Sequence, residues 1–168
     1  LIYIRGFMTA IAQYNLTSSD GTEPKFQVGT ELNTDGATYA YCKATAATIA
    51  AYSACSGATP AAMEGATTTT ANALGTAGGF FCVPQFAVGA SEYFWAPVGP
   101  FYLREDGVTK FKVLAANAAA GALLNSTATD GVLDDASTTA VIGIVLTETV
   151  TTQEAADCVA FRRVGWVK

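Results

Sequence analysis

Histidine is absent from this chain, and Asp, Glu, Lys and Arg together make up only 14% of its 168 residues. Without an imidazole the commonest general base and a frequent metal ligand are gone, and serine–histidine and cysteine–histidine nucleophile systems are excluded. Basic clusters are missing too: nine Lys and Arg are scattered, Arg162–Arg163 is the only adjacent pair, and the formal charge is -5. Backbone recognition of nucleic acid needs clustered cations, so no nucleic-acid partner is expected. No apolar run reaches membrane-spanning length, because Thr, Asn, Gly or Pro interrupts each alanine-rich stretch, and no membrane partner is expected either. The first residues, LIYIRGFMTAIA, lack a charged start and a long apolar core, and Met8 is a candidate translational start.

Cysteine is sparse. Cys42, Cys55, Cys82 and Cys158 are too widely spaced for a zinc pattern and have no histidine to complete one, so they are expected to be free, mostly buried, small apolar residues. Asp130, Asp134 and Asp135 form the densest acidic group, but a calcium loop needs more oxygen ligands around a glycine turn, and they read as a solvated hairpin rim. Gly75, Gly78 and Gly79 lack the strand–glycine–helix frame and the Lys-Ser/Thr of a phosphate loop. The chain therefore reads as a non-enzyme, with no catalytic, cofactor-binding or metal-binding residues and no cofactor.

What is present is Ala, Thr, Gly and aromatics in a β pattern. Residues 80–104, FFCVPQFAVGASEYFWAPVGPFYLR, read as strands joined by tight turns, the central antiparallel ribbon of a β domain. Alternation along the second run puts Tyr93 and Trp95 on one face and Glu92, Phe94 and Ala96 on the other. ATYAYCKA is a second strand, with Tyr39 and Tyr41 opposed to Thr38, Ala40 and Cys42. The segment TAATIAAYSAC reads as a small-residue turn entering a short strand, with a short helix as the alternative. Asp20–Gly21, Asp35–Gly36 and Asp130–Gly131 mark turns, the last a hairpin into Val132–Leu133.

VIGIVL is continuously apolar and hence buried, with Gly143 placed for a bulge, and the C-terminal CVAFRRVGWV alternates as a final strand. Residues 1–34 are too weakly patterned for a core and read as an extended N-terminal arm, lying on its own domain or on a neighbour. Residues 35–168 form the β-rich domain. Within it, residues 56–79 carry almost no large apolar side chains and read as a long Ala/Thr/Gly-rich loop, with an edge strand possible along Thr67–Thr70.

The series GATYAYCKA, SEYFWAPVG and AANAAAGALLNSTATDGVLDD followed by AVIGIVL resembles the small β-rich head decoration, or cement, proteins of tailed bacteriophages. The resemblance spans residues 35–146 apart from the loop at 56–79. The long loop and the four cysteines depart from the family pattern. It implies an all-β fold, a small antiparallel β-barrel or β-tulip-like domain with an extended arm. It also implies a homotrimer on the outer surface of an icosahedral capsid, made in the host cytoplasm and bridging major capsid protein subunits.

Phe26, Tyr39, Tyr41, Tyr93, Trp95, Phe101 and Trp166 are the candidate assembly residues, equally suited to an internal core. Two further readings stay open: a tail-tip or fibre-associated module stacking a host-surface glycan on Tyr93 and Trp95, and a secreted or surface-layer structural domain.

Overall fold

The computed structural model describes residues 14–34, 37–45, 47–57, 64–68, 80–98, 118–126, 131–135, 141–146 and 149–151. Every regular element among them is a strand: β1 (Glu31–Thr34), β2 (Ala37–Ala44), β3 (Cys55–Gly57), β4 (Glu64–Thr68), β5 (Phe80–Cys82), β6 (Tyr93–Pro97), β7 (Leu123–Ser126), β8 (Leu133–Asp134) and β9 (Val141–Val145). The expected C-terminal strand, the strand at 108–114, Phe101, Trp166 and Cys158 lie outside the described residues.

The longest strand, β2, organises the larger sheet. Along one edge it meets β6 antiparallel, with Tyr41 opposite Trp95 and Lys43 opposite Tyr93. Its other edge is shared between β1, antiparallel from Ala37 to Ala40, and β4, parallel at Lys43 and Ala44. The order continues through β3 to β5, which gives six strands along β1-β2-β4-β3-β5 with β6 branching from β2. A separate sheet runs β8-β7-β9.

The barrel expectation is corrected by this topology, since neither sheet closes on itself. Closure requires a continuous ladder around the circumference, with strand number, tilt and stagger mutually matched. Three strands are too few to provide one, and in the larger sheet no ladder joins β5 to β6 among the described residues: Val83 N–H, one residue past β5, donates to the Pro97 carbonyl at 3.3 Å. The same fact corrects the central ribbon: β5 pairs β3 and β6 pairs β2, so residues 80–104 supply two strands of one sheet but not a hairpin. Nor is the sheet wholly antiparallel, given the β2–β4 pair.

The long loop is corrected in part, because residues 64–68 form β4 between β2 and β3. Thr67 and Thr68 stand opposite Ser56 and Cys55, in the interior of the sheet order and not at an edge. β-Branched threonines favour this extended backbone whether or not their neighbours are apolar.

Each face of β2 and β6 carries its own cluster. On one side, Ala40, Cys42, Ala44, Phe94 and Ala96 join Ile49, Cys55, Cys82 and Val88. On the other, Tyr41, Tyr93 and Trp95 pack with Tyr14, Leu16, Phe26, Val28, Leu32 and Tyr39. The period-two alternation read from the sequence places every one of these β2 and β6 side chains on the face observed. All five residues of β6 are consequently buried.

Of the three expected Asp-Gly turns, Asp35–Gly36 lies outside the described residues, between the paired Thr34 and Ala37, and Asp20–Gly21 carries an isolated antiparallel bridge from Gly21 to Tyr93. The described residues of segment 45–55 turn at Tyr52 (φ 63°) and enter β3 at Cys55 without a helix. Gly131 takes φ 75° ahead of β8, a conformation costly for any residue with a Cβ, and its carbonyl accepts from Ala54 N–H at 2.9 Å, tying the small sheet to the large one. Between β7 and β9 the register steps from Leu124–Ile144 to Asn125–Val141, so the irregularity falls at Ile142 and Gly143.

Candidate functional site

The aromatic face of β2 and β6 is the densest assembly of specialised side chains in the described structure. Tyr41 and Trp95 are directly opposed across the ladder, with ring centroids 5.1 Å apart, and Tyr93 stacks on Tyr41 at 5.9 Å. Residues 14–34 cross over this floor. Phe26 stands edge-on to both Tyr41 and Trp95 at 5.3 Å, and Tyr14 stacks on Phe26 while presenting its edge to Trp95, each at 5.2 Å. Offset and edge-to-face contacts at these separations add to the apolar area each ring buries. Lys43, opposite Tyr93 on the ladder, holds its Nζ 5.0 Å from the Tyr93 ring centroid.

Polar groups sew the crossing segment down. Asp20 N–H donates to the Tyr93 carbonyl and Tyr93 N–H to the Gly21 carbonyl, both at 2.8 Å. Gly21 accomplishes this with φ 82°, which its lack of a Cβ allows. Gly29 N–H donates to the Tyr41 carbonyl and Tyr41 N–H to the Thr30 carbonyl. The Tyr41 hydroxyl sits at the centre: it donates to Asp20 Oδ2 at 3.0 Å and accepts from Lys25 N–H at 3.1 Å. Lys25 Nζ reaches Asp20 Oδ1 at 2.8 Å. That side chain is 54% exposed whereas the Asp20 side chain is fully buried, so the ion pair is screened and the hydroxyl is the more valuable partner.

Burial, reinforced by donation to the Asp20 carboxylate, pushes the Tyr41 phenol up to about 12. At the edge of the site the Glu92 carboxylate accepts from Ser19 and from Gly89 N–H at 2.8 Å, and these bonds hold its pKa below the ordinary range.

Of the seven candidate residues, Phe26, Tyr39, Tyr41, Tyr93 and Trp95 come together here. Tyr93 and Trp95, the pair offered for glycan stacking, are buried at 8% and 1% exposure, with Tyr41 at 0% between them, in a cluster packed by side chains of residues 14–34. A sugar ring needs an exposed aromatic face, and Tyr93 and Trp95 do not offer one. Trp95 Nε1 is buried without a hydrogen-bond partner. Tyr14, Asp20, Lys25 and Glu92 belong to the same assembly and escape a reading of the sequence. The Asp20–Gly21 pair announces a turn, but its carboxylate's partner lies 21 residues away, and no local pattern encodes that distance.

On the opposite face Cys42, Cys55 and Cys82 are free and buried, as expected of small apolar residues. The three share one buried cluster, in which Cys42 Sγ donates to the Ala40 carbonyl at 3.5 Å and Cys55 Sγ to the Ser53 carbonyl at 3.4 Å. Interaction with the neighbouring thiols, together with burial, pushes Cys55 and Cys82 well above the ordinary thiol range. Among the described residues no group of three His, Cys, Asp or Glu side chains is arranged to hold a metal ion. The arrangement joins residues 14–34 to β2 and β6 through stacked rings and the Asp20–Tyr41–Lys25 bonds.

No family model, curated protein or solved structure matches the chain.

Proposed function

We propose that this chain is a virion structural protein that decorates the outer surface of an icosahedral phage capsid and stabilises it by bridging major capsid protein subunits as a homotrimer. The observation that carries the reading is where the family-like segments fall. ATYAYCKA is β2, YFWAP within SEYFWAPVG is β6, and the run from AANAAAG to AVIGIVL supplies β7, β8 and β9. The segments that resemble decoration proteins are thus the paired strands of the fold. The low charge also supports it, because neutral Ala/Thr surface gains stability when neighbours cover it and gains little from water. Many copies on one shell make individually modest contacts persistent.

The test is the solution mass of the purified chain, followed by co-sedimentation with phage shells that lack it. A trimer that saturates the shells at fixed stoichiometry is the expected result. A monomer that stays in the supernatant overturns the proposal.

A further inference from the structure

Cys55 and Cys82 are register partners on the antiparallel β3–β5 ladder. Directly opposed residues on such a ladder have Cα atoms about 4.5–5.5 Å apart, inside the 4.4–6.8 Å range that a disulfide spans. Both are free and fully buried, and Cys42 lies in the same buried cluster. Meanwhile β5 is three residues long and ends the order of the larger sheet, and among the described residues no strand pairs with its far side. Short terminal strands are where a sheet opens first.

We propose that Cys55 and Cys82 form a latent cross-strand staple, closed by oxidation with a small disulfide such as oxidised glutathione when β5 opens transiently. The Cys82 thiolate attacks one glutathione sulfur, cleaving that disulfide, releasing one reduced glutathione and leaving a mixed disulfide on Cys82. The Cys55 thiolate then attacks the Cys82 sulfur, forming the Cys55–Cys82 bond and expelling the second glutathione. The two protein protons end on the two glutathione thiols, and the two electrons lost by the protein reduce the oxidant. Cys42, in the same buried cluster, is the competing partner for Cys82. Because both thiols are buried and protonated in the closed sheet, the rate is governed by opening of β5 and levels off as oxidant is raised.

The inference is independent of the capsid reading and is tested on the isolated full chain. The protein is purified reduced, incubated natively with oxidised glutathione, quenched with an alkylating reagent and mapped by mass spectrometry without reduction. The expected product links Cys55 to Cys82, leaves Cys42 alkylated, and raises Tm by roughly 5 °C or more. Cys42→Ala retains the link. A Cys42–Cys82 link as the main product overturns the assignment. So does the recovery of Cys55 and Cys82 as free thiols under conditions in which the urea-unfolded chain forms glutathione adducts.

Discussion

The Tyr41 hydroxyl joins β2 to the crossing segment, taking Lys25 N–H and giving to Asp20. Tyr41→Phe keeps the ring contacts but leaves a buried carboxylate oxygen and a backbone donor short of a partner. The expected loss is about 1–3 kcal/mol of unfolding free energy, measured by urea denaturation. The phenol also sets an alkaline limit. Its folded pKa is raised to about 12 from an ordinary 10.0, so the fold favours the protonated form. That contribution is complete below the ordinary value and is lost as pH rises through about 12. Ultraviolet titration is expected to show one late-ionising tyrosine, absent in Tyr41→Phe.

Glu92 works in the opposite sense. Its pKa is lowered by Ser19 and Gly89, so its contribution is present above the ordinary carboxylate value and disappears as pH falls through the lowered one. A Cβ on Gly89 would lie 2.6 Å from the Glu92 carboxyl carbon. Gly89→Ala is therefore expected to swing the carboxylate away, and carbon-detected NMR titration is expected to return Glu92 to its ordinary pKa.

At the scale of elements, residues 14–34 behave as a strap whose apolar anchor is Phe26, in contact with three aromatic rings. Phe26→Ala removes all three contacts and is expected to cost roughly 2–4 kcal/mol, at the lower end of large-to-small aromatic truncations because Phe26 is only partly buried. Hydrogen exchange is expected to quicken first at Asp20 and Gly29, whose amides bond to the floor. How far the sequence announces its elements follows from the range of the forces involved. Alternation is a property of neighbouring residues, so the two faces of ATYAYCKA and SEYFWAP are legible, as is the turn at Gly131. Strand partners are fixed by contacts distant in the chain. The aromatic run at 80–104 therefore looks like a hairpin although β5 and β6 choose β3 and β2, and nothing local tells Glu64–Thr68 to insert between β2 and β3. An arm over its own domain, with Phe26 as a candidate, is among the expectations, but the rings it meets are illegible for the same reason: Tyr41, Tyr93 and Trp95 lie on strands distant from it in the chain.

For the whole molecule, the question is what kind of surface remains once the strap has covered the aromatic floor. The largest rings are turned inward, and Leu123 is the one large apolar side chain recorded as exposed among the described residues, at 46%. With charge at 14% of the chain, what remains for a partner is mostly short and neutral. Attachment through such a surface depends on shape and water release, and long-range attraction between charges contributes little to it. On the capsid reading, retention on shells is accordingly expected to change by less than about threefold when ionic strength rises from about 0.05 to 0.5 M, a range over which the screening length shrinks by roughly a factor of three. Parallel sedimentation at the two salt concentrations measures it. A steep loss at high salt would show that the few charged side chains carry the attachment, which the charge-poor composition argues against. Retention unchanged or strengthened by salt is what a predominantly neutral contact requires.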